Sequence, residues 1–160
     1  MLTEAASAVH NTGLATALRQ SFWVYPVVNA GHIVGLALLF GAIVPLDLRL
    51  IGLWRRVPID AMTRFLMPVA IAGLVLAVPT GALMFSVRAT EYAGIPFFQV
   101  KLLLIAAALA NALLLRMTTA WAVWRDGGLQ DTTLRLQVAG VLSIALWLAI
   151  IFAGRMIGYR

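Results

Sequence analysis

The chain reads as an all-α membrane protein, four transmembrane helices in an up-down bundle with a short interfacial helix ahead of them. Three observations predict this. Hydrophobic residues make up 62% and charged residues 11% of 160 residues, and mean hydropathy is +0.96, too apolar for a water-soluble domain of this size. Four apolar runs, at residues 24–46, 65–87, 97–124 and 136–157, reach the roughly 20 residues that a spanning helix needs. The six acidic residues, Glu4, Asp47, Asp60, Glu91, Asp126 and Asp131, all fall at span ends or in connectors. The connectors are short, so the chain divides into an interfacial segment, 1–20, and one transmembrane domain, 21–160.

Taken in order, residues 2–20 form an amphipathic interfacial segment. Thr3 offers a cap, and Leu2, Ala6, Val9, Leu14 and Leu18 form a lipid-facing set, broken near Asn11, Thr12 and Gly13. Trp23 and Tyr25 mark the headgroup level. Pro26 sits in the first turn of the first span, where a missing N–H costs nothing, and Pro45 should bend or end that span. Asp47 and Arg49, just beyond it, read as a local ion pair in the interface. Pro58 and Asp60 precede the second helix, Pro96 opens the third, and Asp126, Gly127 and Gly128 form a turn before the fourth. Gly31 and Gly35, four apart on the first span, and Ala145, Ala149 and Ala153 on the fourth allow close helix approach.

Composition and charge exclude several classes. The segment before Ser21 carries Glu4 and one cation, Arg19, which lacks the basic start of a secretory signal. With no cysteine there are no disulfides, thiolate metal sites or iron–sulfur clusters. The net charge of +6 comes from cations near span ends, where they meet lipid phosphate rather than nucleic acid. Arg49, Arg55, Arg56, Arg64, Arg116, Arg125 and Arg135 share one side of the membrane, against Arg19, Arg88, Lys101, Arg155 and Arg160 on the other. The first set, dense in the first connector, points inward, which puts both termini on the periplasmic face of a bacterial inner membrane.

His32 is the most informative residue, because an ionisable group at hydrocarbon depth faces a helix bundle or a wet cavity. At about 1.5 Å of rise per residue, His32 lies about 12 Å below the outer end of its helix and Thr80 about 10 Å down the second. Lys101 reaches the same layer from the third span, its long stem free to snorkel outward. Asn29 lies one turn above His32, and Met84 one turn above Thr80. His32, Asn29, Thr80, Met84 and Lys101 therefore form the candidate site, in the outer half of the bundle. Asn111 lies deeper on the third span, and Gln137 and Ser143 lie toward the inner side of the fourth. Three readings of His32 stay open: a hydrogen-bonded structural histidine, a contact to haem, quinone or pigment, and a metal or proton-relay role. The six methionines show no pair at three- or four-residue spacing, which suits gap filling better than a copper(I) site.

The runs Leu18-Arg-Gln-Ser-Phe-Trp-Val-Tyr-Pro26, Gly31-His-Ile-Val-Gly-Leu-Ala-Leu-Leu39 and Pro45-Leu-Asp-Leu-Arg-Leu-Ile-Gly52 carry a family likeness. So do Pro79-Thr-Gly81 and Ile95-Pro-Phe-Phe-Gln-Val-Lys101 with Asn111. The chain resembles a bacterial four-span membrane family of unknown function, distantly similar to the membrane domain of copper-resistance D proteins. The resemblance implies a first-span histidine able to bind haem b or a metal, so that His32 would be an axial ligand to haem iron. Lys101 or Arg88 would then meet the propionates. The chain departs from the pattern where relatives carry an acid, at Asn29, and where they carry a histidine near the end of the third span, at Leu115 and Arg116. A second histidine ligand is thus missing from the spans, leaving Met84, or His10 in the interfacial segment.

An autonomous enzyme or transporter lacks its parts here. No Gly-rich phosphate loop follows a strand, no Ser, His and acid constellation occurs in the spans, and no internal repeat is seen. Two functions are left. The first is a non-catalytic accessory or structural subunit of a larger respiratory or photosynthetic membrane complex, with a membrane-protein partner or a second copy of itself. The second is an electron-transfer module holding haem b, or touching a quinone, through His32.

Overall fold

In the computed structural model, Ser7, residues 12–126 and residues 133–159 are described. The expectations placed on Leu2, Thr3, Ala6, Val9 and His10, the side chain of Leu14, and the Gly127–Gly128 turn lie outside the described residues. Among those described, the chain is helical with no strand: α1 (Gly13–Gln20), α2 (Val24–Ile51), α3 (Ile59–Val87), α4 (Ala89–Ala93), α5 (Pro96–Arg116), α6 (Thr119–Arg125) and α7 (Leu134–Ile157). Helices α2, α3, α5 and α7 are long and apolar enough to cross a membrane, with mean hydropathy of 2.0 to 2.3. The fold is of the all-α membrane type.

Helix boundaries follow local chemistry. Helix α2 runs through Pro45 to Ile51 rather than stopping there, because the proline forfeits one hydrogen bond while tertiary packing holds the last turn. Gly52, at φ 110°, then ends it. Its N–H bonds to Arg49 O at 3.1 Å and that of Leu53 to Leu48 O at 2.9 Å, a closure that needs a left-handed residue. The third apolar run breaks at Met117 and Thr118, since the Thr118 hydroxyl accepts from Trp121 N–H at 3.1 Å and starts α6. Helix α1 is capped by Thr12, whose hydroxyl accepts from Ala15 N–H at 3.3 Å. Ala15 and Leu18 on α1 are buried within the protein, so Leu18 belongs to the bundle and not to the lipid-facing set. Helix α1 docks on α3 and α2, where those apolar side chains find protein instead of lipid.

The spanning helices form three close pairs: α2 with α3, α2 with α7, and α5 with α7. The α2–α3 pair is antiparallel and tight. A Cβ at Gly35 would lie 2.7 Å from Ala77 N, and one at Gly73 would lie 2.7 Å from Gly35 O, so backbones meet where side chains are absent. Gly31 continues the seam against Thr80. On the other side of α2, a Cβ at Gly140 would lie 2.9 Å from Asp47 O, which seats α7. Of Ala145, Ala149 and Ala153 on α7, Ala153 is buried, Ala149 half-buried and Ala145 exposed, so the spacing enters the helix contact toward the C-terminal end of α7.

Two apolar layers fill the interior. Leu39, Ala42, Ala70, Ala108, Trp147 and Ile150 pack at mid-bundle. Leu46, Leu50, Ile59, Trp121, Trp124 and Leu136 pack at the end where α6 lies. Large apolar side chains such as Ile33, Phe65, Val75, Leu103 and Phe152 point outward and are exposed, as a surface solvated by acyl chains requires. Helices α3 and α5 are successive spanning helices yet are not a close pair. The up-down bundle is therefore open along that seam.

Candidate functional site

His32 is drawn across the α2–α3 seam rather than into a cavity. Its Nδ1 lies 2.9 Å from Ala77 O and 3.2 Å from Thr80 Oγ1. Because a carbonyl can only accept, the Ala77 contact puts the proton on Nδ1. The Thr80 hydroxyl donates to Leu76 O at 2.6 Å, which leaves its oxygen facing the imidazole. The ring rests on Gly81, where a Cβ would come within 3.0 Å of Cε1.

Of the other candidate residues, Thr80 joins His32 directly. Lys101, on the first turns of α5, lays its side chain over α7, its Nζ 3.2 Å from where a Cβ on Gly154 would stand. No hydrogen bond joins Asn29 or Met84 to His32 among the described residues. No group of three His, Asp or Glu side chains suited to a metal ion occurs there either. An aromatic cluster covers the end of the bundle where α4 lies, with Phe85 and Phe98 stacked at 5.0 Å and Tyr92 against Phe98 at 6.1 Å. On the short helix α4, burial and then the neighbouring Tyr25 phenol push the Tyr92 hydroxyl above the usual tyrosine value.

A second polar site lies about 22 Å along α2 from His32, by helical rise over 15 residues. Asp47 and Arg49 are both buried, at 6% and 4% exposure. They do not form the expected ion pair, because residues two apart on a helix point in different directions. Asp47 shares the lining of one groove with Ser143 of α7, and its Oδ2 has no hydrogen-bond partner among the described residues. Arg49 turns to the first connector, donating to Arg55 O at 3.2 Å and Val57 O at 3.4 Å. Its guanidinium also lies 5.8 Å from the ring centroid of Trp124, the most deeply buried aromatic side chain. Asn111 donates to Ala139 O at 3.0 Å and ties α5 to α7 at the same level.

Asp47, Asn111 and Ser143 floor a groove of about 380 Å³ along the open α3–α5 seam. A neighbouring chamber of about 560 Å³ at the connector end is lined by Asp60, Arg64, Arg116, Arg125 and Asp126, among others. The two share Met67, Ile71, Arg116 and Trp121. Neither is lined by His32, Asn29, Thr80, Met84 or Lys101. The signals for this second site were Asp47 after an in-helix proline and the cations Arg64 and Arg116, but only the packing of α7 on α2 shows that the acid is buried. Compared with protein-family models, with curated proteins and with solved structures, the chain matches none.

Proposed function

We propose that the chain is a non-catalytic subunit of a larger assembly in the bacterial inner membrane, within the four-span family that its sequence resembles. The observation that carries this reading is an uncovered small-residue seam on α2. Ala37 and Gly41, four residues apart, are both exposed, and a Cβ at Gly41 would meet nothing within 4 Å. In lipid such a seam admits the backbone of another helix, from a partner or a second copy. The internal bond from His32 to Ala77 supports the same reading, since it uses the imidazole to join α2 to α3. The cation-rich first connector supports cytoplasmic placement of that end, with the termini periplasmic. The test is a pull-down from native membrane in mild detergent, comparing the natural chain with A37L/G41L. A partner or second copy lost on substitution supports the subunit; identical recovery of the chain alone from both overturns it.

One observation favours the second reading, a haem b or quinone module. Nδ1 of His32 is oriented by a backbone carbonyl, while Nε2 has no hydrogen bond among the described residues. That is how a ligating histidine is held. An absorption spectrum of the purified protein decides it. A Soret band lost in His32→Ala supports haem; colourless protein with no quinone extracted from it removes this reading.

A further inference from the structure

The open α3–α5 seam joins two environments that separately explain little. On its membrane side, Leu39, Leu74, Ala108 and Trp147 give the groove apolar walls. From Leu39 to Leu50 on α2 the lining covers about 16 Å of helical rise, roughly half a hydrocarbon core and so one leaflet. At the connector end the groove opens into the chamber that holds Arg64, Arg116 and Arg125. Arg125 is already engaged by Asp126 at 3.0 Å. Arg64 and Arg116 have no carboxylate partner among the described residues, and the Arg116 guanidinium donates at 2.6 Å only to the sulfur of Met67, a weak acceptor. Asp60 shares the chamber without pairing with Arg64.

We infer that this seam is a binding site for one anionic glycerophospholipid, its phosphate between Arg64 and Arg116 and one acyl chain in the groove beside Leu74 and Trp147. Charge and shape agree: two guanidiniums with spare donors stand where an apolar slot meets the headgroup level, and a guanidinium matches phosphate oxygens in pairs. A zwitterionic lipid offers the same acyl chains but brings a cation to the same arginines, which opposes its binding there.

The experiment uses the full chain, delipidated in a neutral detergent, and reads thermal stability and lipid retention by native mass spectrometry. Phosphatidylglycerol should raise the melting temperature and stay bound, with phosphatidylcholine and inorganic phosphate doing neither. Arg64→Gln with Arg116→Gln should weaken phosphatidylglycerol by about thirtyfold, as expected for two interfacial cations. Ala112→Trp, on the groove wall, should block retention while both arginines stay in place. Equal effects of the two lipids, reproduction of the shift by free phosphate, or full retention in both variants would overturn the inference. The comparison of lipids on the natural chain decides the matter even if a variant fails to fold.

Discussion

Gly35 and Gly73 stand backbone to backbone where α2 crosses α3, each occupying the space that a Cβ on the other would need. The contact is what lets His32, one turn away, reach Ala77 O. Gly35→Ala forces the helices apart and should lower stability by about 1–3 kcal/mol, the usual cost of overpacking a tight contact. Gly41→Ala, in open space, should be neutral or stabilising by up to about 1 kcal/mol through helix propensity. Unfolding titrations in mixed micelles compare the two. Equal loss at both positions would contradict the packing.

Removing the imidazole leaves Ala77 O without its cross-helix donor. His32→Ala should cost about 0.6 kcal/mol and no more than about 1.7 kcal/mol, the average and upper value for single hydrogen bonds between helices in membranes. Thr80→Val, which keeps the shape but lacks the hydroxyl, should cost less than His32→Ala. The same unfolding titration checks the order.

Arg49 holds the first connector by its carbonyls and lies near the Trp124 ring. Arg49→Met should cost about 2–3 kcal/mol, since hydrogen bonds to a buried charged group are among the stronger ones. It should also expose residues 52–58 to protease. A double-mutant cycle with Trp124→Leu should show a coupling of about 0.5–2 kcal/mol. Additive losses would mean that the cation does not act on the ring.

Tyr92 supplies a pH dependence outside the spans. Its phenol titrates above the usual tyrosine value because it is buried beside Tyr25. A phenol whose value is higher in the folded state adds stability that is complete below the unfolded value, near 10, and is lost as pH rises through the folded one. Stability should therefore fall above about pH 10, and Tyr92→Phe should flatten that fall. Ultraviolet difference titration of the two proteins should show one late-titrating tyrosine missing from the variant.

The parts of this structure legible from sequence are those governed by short-range rules. Apolar run length identifies four spanning helices, and the Gly31–Gly35 spacing identifies a close helix contact. Constant helical rise places His32 and Thr80 at one level, and a hydrogen bond joins them. Helix pairing is not a local property. Asp47, next to Pro45 near a span end, reads as interfacial until α7 covers it through Gly140. Arg49 reads as its ion partner until the connector folds back over it. The break at Thr118 had a cap residue to announce it, hidden inside an apolar run long enough to look continuous.

The four crossings themselves are open to one direct measurement, since the chain has no cysteine of its own. Single cysteines at Arg56, Thr90 and Asp126, all exposed in connectors or at their edges, are labelled in intact spheroplasts with a membrane-impermeant maleimide. Thr90→Cys should react from one face, and Arg56→Cys and Asp126→Cys only after the membrane is opened. Reaction of all three from the same face would contradict the four-span bundle on which each of these sites depends.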